Sequence, residues 1–166
     1  MSTRHTCTKS ILCGMAMLTF AAGQGLAQEK GFKEMITGPW TVTSVVDERP
    51  DGKKVETWNG PVTGQLTFGR TGRFTQIIVG PPIASMKGND PRKPDALVVA
   101  YYGSYTVDEA GKKINAKILG GGYSARVNTE ISWTVQGSGD NLVLIGSPRS
   151  DASGPFSPKL EVTRVK

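Results

Sequence analysis

The residues with the most chemistry to offer are aromatic and polar ones set two apart. Phe68 shares a face with Leu66, Phe74 with Gln76 and Ile78, Tyr101 with Tyr105, and Trp133 with Ile131 and Val135, if their segments are extended. An apolar surface carrying a few hydrogen-bonding groups is how small-molecule pockets are built. Phe68, Phe74, Gln76, Tyr101, Tyr105 and Trp133 are therefore the candidate ligand-binding residues, with Tyr105 and Gln76 as the hydrogen-bonding handles. The same side chains could instead pack against one another and fill the interior. The sequence leaves both readings open.

The chemistry that is missing is as informative. The one histidine, His5, and both cysteines, Cys7 and Cys13, fall within the first 27 residues, which read as a leader. Residues 28–166 have no imidazole and no thiol. They cannot run a Ser-His-Asp triad or a Cys nucleophile, and they cannot build a His- or Cys-based zinc site. Axial His or Cys ligation of haem is excluded as well. No cofactor and no metal are expected. Asp51, Asp90, Asp95, Asp140 and Asp151 stand singly in turns, and the pairs Asp47-Glu48 and Asp108-Glu109 fall at strand ends, where neighbours point to opposite faces. "GGGYSA" (120–125) fits a loose dinucleotide pattern, but a strand-like segment comes next where phosphate binding needs a helix N-terminus. Arg70, Arg73, Lys87, Arg92, Lys93, Lys112 and Lys113 scatter over turns and form no basic face interleaved with aromatics. No nucleic-acid partner is expected.

The leader has the three parts of an export signal. Arg4, His5 and Lys9 precede the apolar "SILCGMAMLTFAA", and "GLA" ends at Ala27 with small Gly25 and Ala27 where a signal peptidase reads. Cleavage after Ala27 and a periplasmic or secreted location are the expectation. The apolar run is too short to span a bilayer, so stable membrane insertion is not expected. Residues 28–166 carry 18 basic and 14 acidic side chains, a net charge of +4.

Alternation and turn chemistry point to the elements that could position these residues. "EKGFKEMI" suits a short N-terminal helix or arm over 28–37, with Phe32, Met35 and Ile36 on one side. From residue 38 on, strands and turns alternate. Trp40, Val42, Ser44 and Val46 share a face, Lys54 to Trp58 reads as a second strand, and "GQLTFG" and "RFTQIIV" flank the tight turn "RTGR". A long irregular piece with four prolines, 80–96, suggests a flap. "LVVAYYGSYTVD", "KKINAKIL", "RVNTEISWTVQG", "NLVLIG" and "KLEVTRV" complete the set, with a second loop, "GSPRSDASGPFSP", before the last. The class is all-β and antiparallel, a closed barrel or a sandwich, in one domain over 38–166.

In a closed barrel the first and last strands become neighbours. Leu160 and Val162 look inward, so Arg164 does too, at the end where Trp40 enters. An indole face is a fitting partner for that arginine. Gly38 allows close approach and Pro39 sets the entry angle. Gly38, Trp40 and Arg164 are assigned to barrel closure. With "GPWTVTSVVDERPDGK", "GQLTFGRTGRFTQIIV", "YYGSYTVDEAGK" and the terminal "LEVTRVK" in this order, residues 38–166 resemble the bacterial lipocalin-like domain family of the calycin group. The resemblance implies an antiparallel, up-and-down, eight-stranded barrel with a cup-shaped interior, here preceded by the signal peptide and the short helix.

The expected function is an exported binding module, without catalysis, holding a small and largely apolar molecule in the barrel. The alternative is a non-catalytic envelope protein with a filled core that contacts an unidentified protein through its rim loops. A cyclase or isomerase built on Tyr105 would need an inward-facing acid, and the sequence places none there.

Overall fold

The structure, a computed structural model, describes residues 31–90 and 92–166. The leader and its cleavage after Ala27 lie outside the described residues. A five-residue helix, α1 (Phe32–Ile36), is followed by ten strands: β1 (Gly38–Glu48), β2 (Lys54–Val55), β3 (Thr63–Phe68), β4 (Arg73–Pro82), β5 (Ala96–Asp108), β6 (Lys113–Gly121), β7 (Glu130–Ser138), β8 (Asn141–Gly146), β9 (Arg149–Asp151) and β10 (Gly154–Arg164). Eight of them form one antiparallel sheet in chain order, β1-β3-β4-β5-β6-β7-β8-β10, and β10 pairs back on β1. The sheet is thus a closed up-and-down barrel with no free edge. β2 and β9 are short ribbons added at one end, on β1 and β10 respectively.

Alternation is the reason these segments are strands. β6 buries Ile114, Ala116 and Ile118 and exposes the residues between them; β4 does the same with Phe74, Gln76 and Ile78. The inward side chains of neighbouring strands meet in one core, joined by Leu66, Leu142, Leu144, Leu160 and Val162. Phe68, Phe74, Tyr105 and Trp133 form an aromatic layer across it. Their rings meet edge to face, with centroids 5.1 Å apart for Phe68 and Tyr105 and 6.0 Å for Phe74 and Trp133. Gly103 makes room for that layer: a Cβ there would sit 2.8 Å from Phe74 Cε1 and 1.9 Å from the Lys117 carbonyl oxygen.

The barrel's closed end is built on Trp40 and Arg164, which stand directly opposite each other on β1 and β10. The guanidinium lies 4.2 Å from the centre of the fully buried indole. It also donates to the carbonyls of Thr37, at 3.1 Å, and Met35. The indole Nε1 donates to the Ile36 carbonyl at 2.8 Å. Three carbonyls at the C-terminal end of α1 are thereby satisfied by barrel side chains, the need every helix end has. At the other end of α1, the Glu109 carboxylate accepts from the amides of Phe32 (2.7 Å) and Lys33 (3.1 Å). The helix lies across the barrel base with Phe32 and Ile36 buried. Gly38 has φ +121°, and a Cβ there would meet Arg164 Nη1 at 3.3 Å. A side chain at position 38 would be strained and would crowd the guanidinium.

Five local expectations are corrected by tertiary pairing. First, β1 contains a bulge: Trp40 and Val42 pair with Arg164 and Val162, then the register slips, and Val45 and Asp47 face Leu160 and Pro158. Thr43 is the extra residue, and its hydroxyl donates to the Glu161 carbonyl. The slip turns Val45 and Asp47 inward in place of Ser44 and Val46. Second, the strand expected over Lys54–Trp58 is only the two-residue β2, and Trp58 turns toward the barrel interior. Third, the irregular piece is shorter than 80–96. β4 runs to Pro82, which pairs with Ala96 across an irregular step, and the Ile83 amide closes on the Asp95 carbonyl. Fourth, Val127 and Thr129 do not continue β7, which begins at Glu130. A tight turn over Ser124–Arg126 precedes it, and Asn128 takes φ 65°. Fifth, the loop before the last strand is a hairpin, because Arg149, Ser150 and Asp151 pair with Phe156, Pro155 and Gly154.

Replacing Arg164 tests the closed end. Arg164→Ala should lower the unfolding free energy by about 2–4 kcal/mol, since a stacking contact and charged hydrogen bonds disappear together. Arg164→Lys should recover less than half of that, because an ammonium lacks the planar fork. Urea unfolding followed by circular dichroism measures both, and a loss under about 1 kcal/mol would show that closure does not depend on this residue.

Candidate functional site

The end of the barrel away from α1 is open. There the inward side chains enclose a cavity of about 390 Å³, in the range of about 300–1,000 Å³ usual for small-molecule pockets. Its floor and walls are largely apolar: Val45, Ile78, Val99, Ile118, Trp133 and Leu160, each on a different barrel strand. Trp58 and Phe156 close over it from the mouth. The β9–β10 hairpin that carries Phe156 is fastened by Arg49, which pairs with Asp151 at 2.8 Å, donates to the Gly154 carbonyl at 2.7 Å and stacks on the Phe156 ring at 5.5 Å.

The candidate residues divide between two levels. Gln76, Tyr101 and Trp133 line the cavity. Phe68, Phe74 and Tyr105 do not: they sit below it in the aromatic layer. The Tyr105 hydroxyl, expected as a handle for a ligand, donates to the Gly69 carbonyl at 2.8 Å and belongs to the turn beneath. Gly38, Trp40 and Arg164 lie at the opposite end. The barrel is therefore half filled, with packing below and a cup above.

Gln76 is the one buried polar side chain among the described core residues, at 6 % exposure, and its Oε1 has no hydrogen-bond partner. An unmatched buried amide oxygen is costly, by about 1–3 kcal/mol. A polar group held in the wall of an apolar cup is suited to a ligand that supplies the missing bond.

Three charged residues in the cavity were not legible in the sequence: Asp47, Arg126 and Arg149. Asp47 is brought in by the bulge of β1, Arg126 by the turn before β7, and Arg149 by the β9 pairing. Burial pushes the Asp47 carboxyl above the ordinary carboxylate range, against the opposing pull of Arg149 and Arg49. Burial also lowers Arg149, and the like charge of Arg126 lowers it further, while Tyr101 and Asp47 act the other way. Arg149 is exposed at the rim, and an arginine guanidinium stays charged in proteins. Among the described residues no group of three or more His, Cys, Asp or Glu side chains gathers where it could hold a metal.

Eight antiparallel strands closed in chain order over a basal helix, with a cup at the far end, describe a calycin-type barrel. The fold is lipocalin-like. Among solved structures, the chain is similar to a lipocalin-like protein from Bacteroides uniformis, at 12 % identity, with 78 % of this chain and 98 % of that one covered and a TM-score of 0.43. It is also similar to bovine odorant binding protein in complex with a selenium-containing odorant, at 15 % identity, with 83 % and 74 % covered and a TM-score of 0.44. No protein-family model and no curated protein matches the sequence.

Two substitutions probe the site through stability. The raised Asp47 carboxyl binds its proton more tightly folded than unfolded, so stability is lost as pH rises from its ordinary 3.8 through the folded value. Asp47→Asn should melt at a higher temperature than wild type at pH 7, and the difference should vanish below about pH 4. Thermal melts at both pH values decide it; an unchanged difference would show that Asp47 is not penalised by burial. Gln76→Leu should stabilise by about 1 kcal/mol by removing the unmatched oxygen, and a destabilised variant in urea unfolding would show that the amide is satisfied in solution.

Proposed function

We propose that the protein is a non-catalytic binding module that holds a small, largely apolar molecule in the open half of its barrel. The observation that carries this reading is the apolar cup with the unmatched Gln76 amide in its wall. A protein acting only through its rim would gain nothing from leaving that space unfilled or that oxygen unpaired. Gln76, Tyr101 and Trp133 are the contacts retained from the sequence reading, with Trp58 and Phe156 added at the mouth. Export by the N-terminal leader, and with it a periplasmic or secreted location, is part of the proposal. No nucleic acid and no stable membrane insertion enter it; among the described residues no helix is long and apolar enough to cross a membrane.

Magnitudes suit a carrier. Burying a CH₂ group contributes about 0.8 kcal/mol, so eight methylenes give roughly 6 kcal/mol before the losses of association. Taken without those losses, that sets an upper limit between millimolar and micromolar affinity, which a hydrogen bond to Gln76 raises by about 1 kcal/mol.

An enzymatic reading has one observation in its favour. Asp47 faces the same cavity as the Tyr101 ring, so an acid does stand where a proton could be moved. Tyr105 has no part in such a reading, since its hydroxyl is engaged below the cup.

The direct test is uptake of the neutral apolar dye N-phenyl-1-naphthylamine, with native mass spectrometry of the protein from its own source. One dye should bind per chain and accept energy from Trp58 and Trp133. Val99→Trp, which places an indole inside the cup, should weaken uptake about tenfold or more. Undiminished uptake in that variant would put the dye elsewhere and sink the proposal.

A further inference from the structure

Between β1 and β3 the barrel wall is not fully paired. β1 pairs with β3 only as far as Val42, opposite Gly64, and does not meet β2 until Asp47. A strap of chain, residues 56–62, covers the stretch between, over a small cleft lined in part by Ser44, Val45, Gly60 and Val62. The strap has two inward anchors. Trp58 reaches into the cup, and Val62 is buried in the core. Only Asn59, Gly60 and Pro61 lie between them. There is little slack. A Cβ on Gly80 would stand 3.3 Å from both the Trp58 ring and the Trp58 carbonyl oxygen, and one on Gly60 would stand 3.3 Å from Pro81.

Asn59 is exposed on this strap, with φ 59°. An asparagine side-chain carbonyl can be attacked by the backbone nitrogen of the following residue, and a glycine there has no side chain to block the approach. The nitrogen must also be free of a hydrogen bond. Among the described residues the Gly60 amide donates to no acceptor. The comparable Asp51-Gly52 pair is held at both reacting groups. The Gly52 amide donates to the Arg49 carbonyl at 2.9 Å, and Asp51 Oδ1 accepts from the Lys53 amide at 3.0 Å. The other asparagines, Asn89, Asn115, Asn128 and Asn141, are followed by Asp90, Ala116, Thr129 and Leu142, whose side chains obstruct attack. Asn115 and Asn141 also have Oδ1 engaged, by the hydroxyls of Ser132 and Thr163 at 2.9 Å each.

We propose that Asn59 is a site of spontaneous covalent modification, in which attack by the Gly60 nitrogen converts it to aspartate and isoaspartate and so releases Trp58 from the mouth of the cup. The Gly60 N–Asn59 Cγ bond forms, the Cγ–Nδ2 bond breaks, and Nδ2 leaves as ammonia with the Gly60 amide proton. Water then opens the five-membered ring. Addition at Cγ restores the ordinary backbone with an aspartate. Addition at the backbone carbonyl leaves the chain running through Cγ, which puts one extra carbon into the main chain. That extra length falls between the two anchors, where packing on Gly80 and Pro81 leaves no room to absorb it. Trp58, only half-buried at the mouth, yields before Val62 in the core.

The folded protein is incubated in warm, mildly alkaline buffer, digested with trypsin and analysed by mass spectrometry. The fragment Val55–Arg70 contains Asn59 and no other asparagine. It should acquire the mass of a carboxylate in place of an amide and split into two products, one of them a substrate for isoaspartyl methyltransferase. Conversion there should exceed that at any other asparagine, and isomerisation at Asp51, by about tenfold or more, a barrier difference of about 1.4 kcal/mol. In urea the Asp51-Gly52 pair should lose its protection and isomerise faster, while Asn59 should change little. Asn59→Gly, which accepts the positive φ without strain, should abolish the new products. The converted protein, separated by its added negative charge, should show tryptophan fluorescence about twofold more quenched by acrylamide than the fresh protein, since the other tryptophans, Trp40 and Trp133, are buried. In Trp58→Phe that increase should vanish. An Asn59 that stays intact in the folded protein while the same fragment converts when unfolded overturns the site. Conversion with unchanged quenching, or with an increase that survives Trp58→Phe, overturns the release of Trp58. None of these readouts needs a ligand, so the outcome is independent of the carrier function.

Discussion

A single guanidinium organises one whole end of this molecule. Arg164 stacks on Trp40 and donates to the last carbonyls of α1, so the first strand, the last strand and the basal helix meet at one residue. A five-residue helix has no stability of its own in water; its ends must be satisfied by the structure it joins. Glu109 serves its start and Arg164 with Trp40 its end. Closure of the sheet brings these groups together, and their contacts in turn hold the seam between β1 and β10 closed. The left-handed backbone at Gly38 is the local condition for this arrangement, since a side chain there would crowd the guanidinium.

The seal at the base has consequences for the opposite end. An eight-stranded barrel is just wide enough for its interior to be filled by side chains or to hold one small ligand. Here both occur, at different heights. Bulky rings from β3, β4, β5 and β7 fill the lower half, and Gly103 gives them depth. Above them the inward residues are mainly aliphatic, and space remains. The aromatic layer is thus the floor of the cup. That division explains why six residues of similar pattern separate into three that line the cavity and three that support it.

The charged character of the mouth comes from irregularities at the ends of strands. One extra residue in β1 reverses the facing of everything after it, which takes Asp47 from the outside to the inside. The hairpin of β9 with β10 and the turn before β7 carry the two arginines in. Strand ends and rims are where a barrel can accommodate such departures without breaking its hydrogen-bond ladder. The charge at the mouth is therefore set by the parts of the chain that regular pairing constrains least.

Much of this was determined by the sequence alone. Two-residue alternation in "KINAKIL", "RFTQIIV" and "NLVLIG" specifies strands because a pleated chain has that period and no other. Parity along "KLEVTR" was enough to aim Arg164 at Trp40, because that stretch of β10 is regular. Gln76, Tyr101 and Trp133 could be named as inward residues for the same reason. The tertiary structure alone decided what alternation cannot carry: the bulge at Thr43, the short pairing of Arg149 with Phe156, the turn of Trp58 over the mouth and the depth of Tyr105. Each depends on a partner strand distant in sequence, which sets the register, or on the volume of side chains from other strands. Periodicity shows which way a side chain points. Only the packed barrel shows how far down it lies, and so whether it meets a ligand or a neighbour.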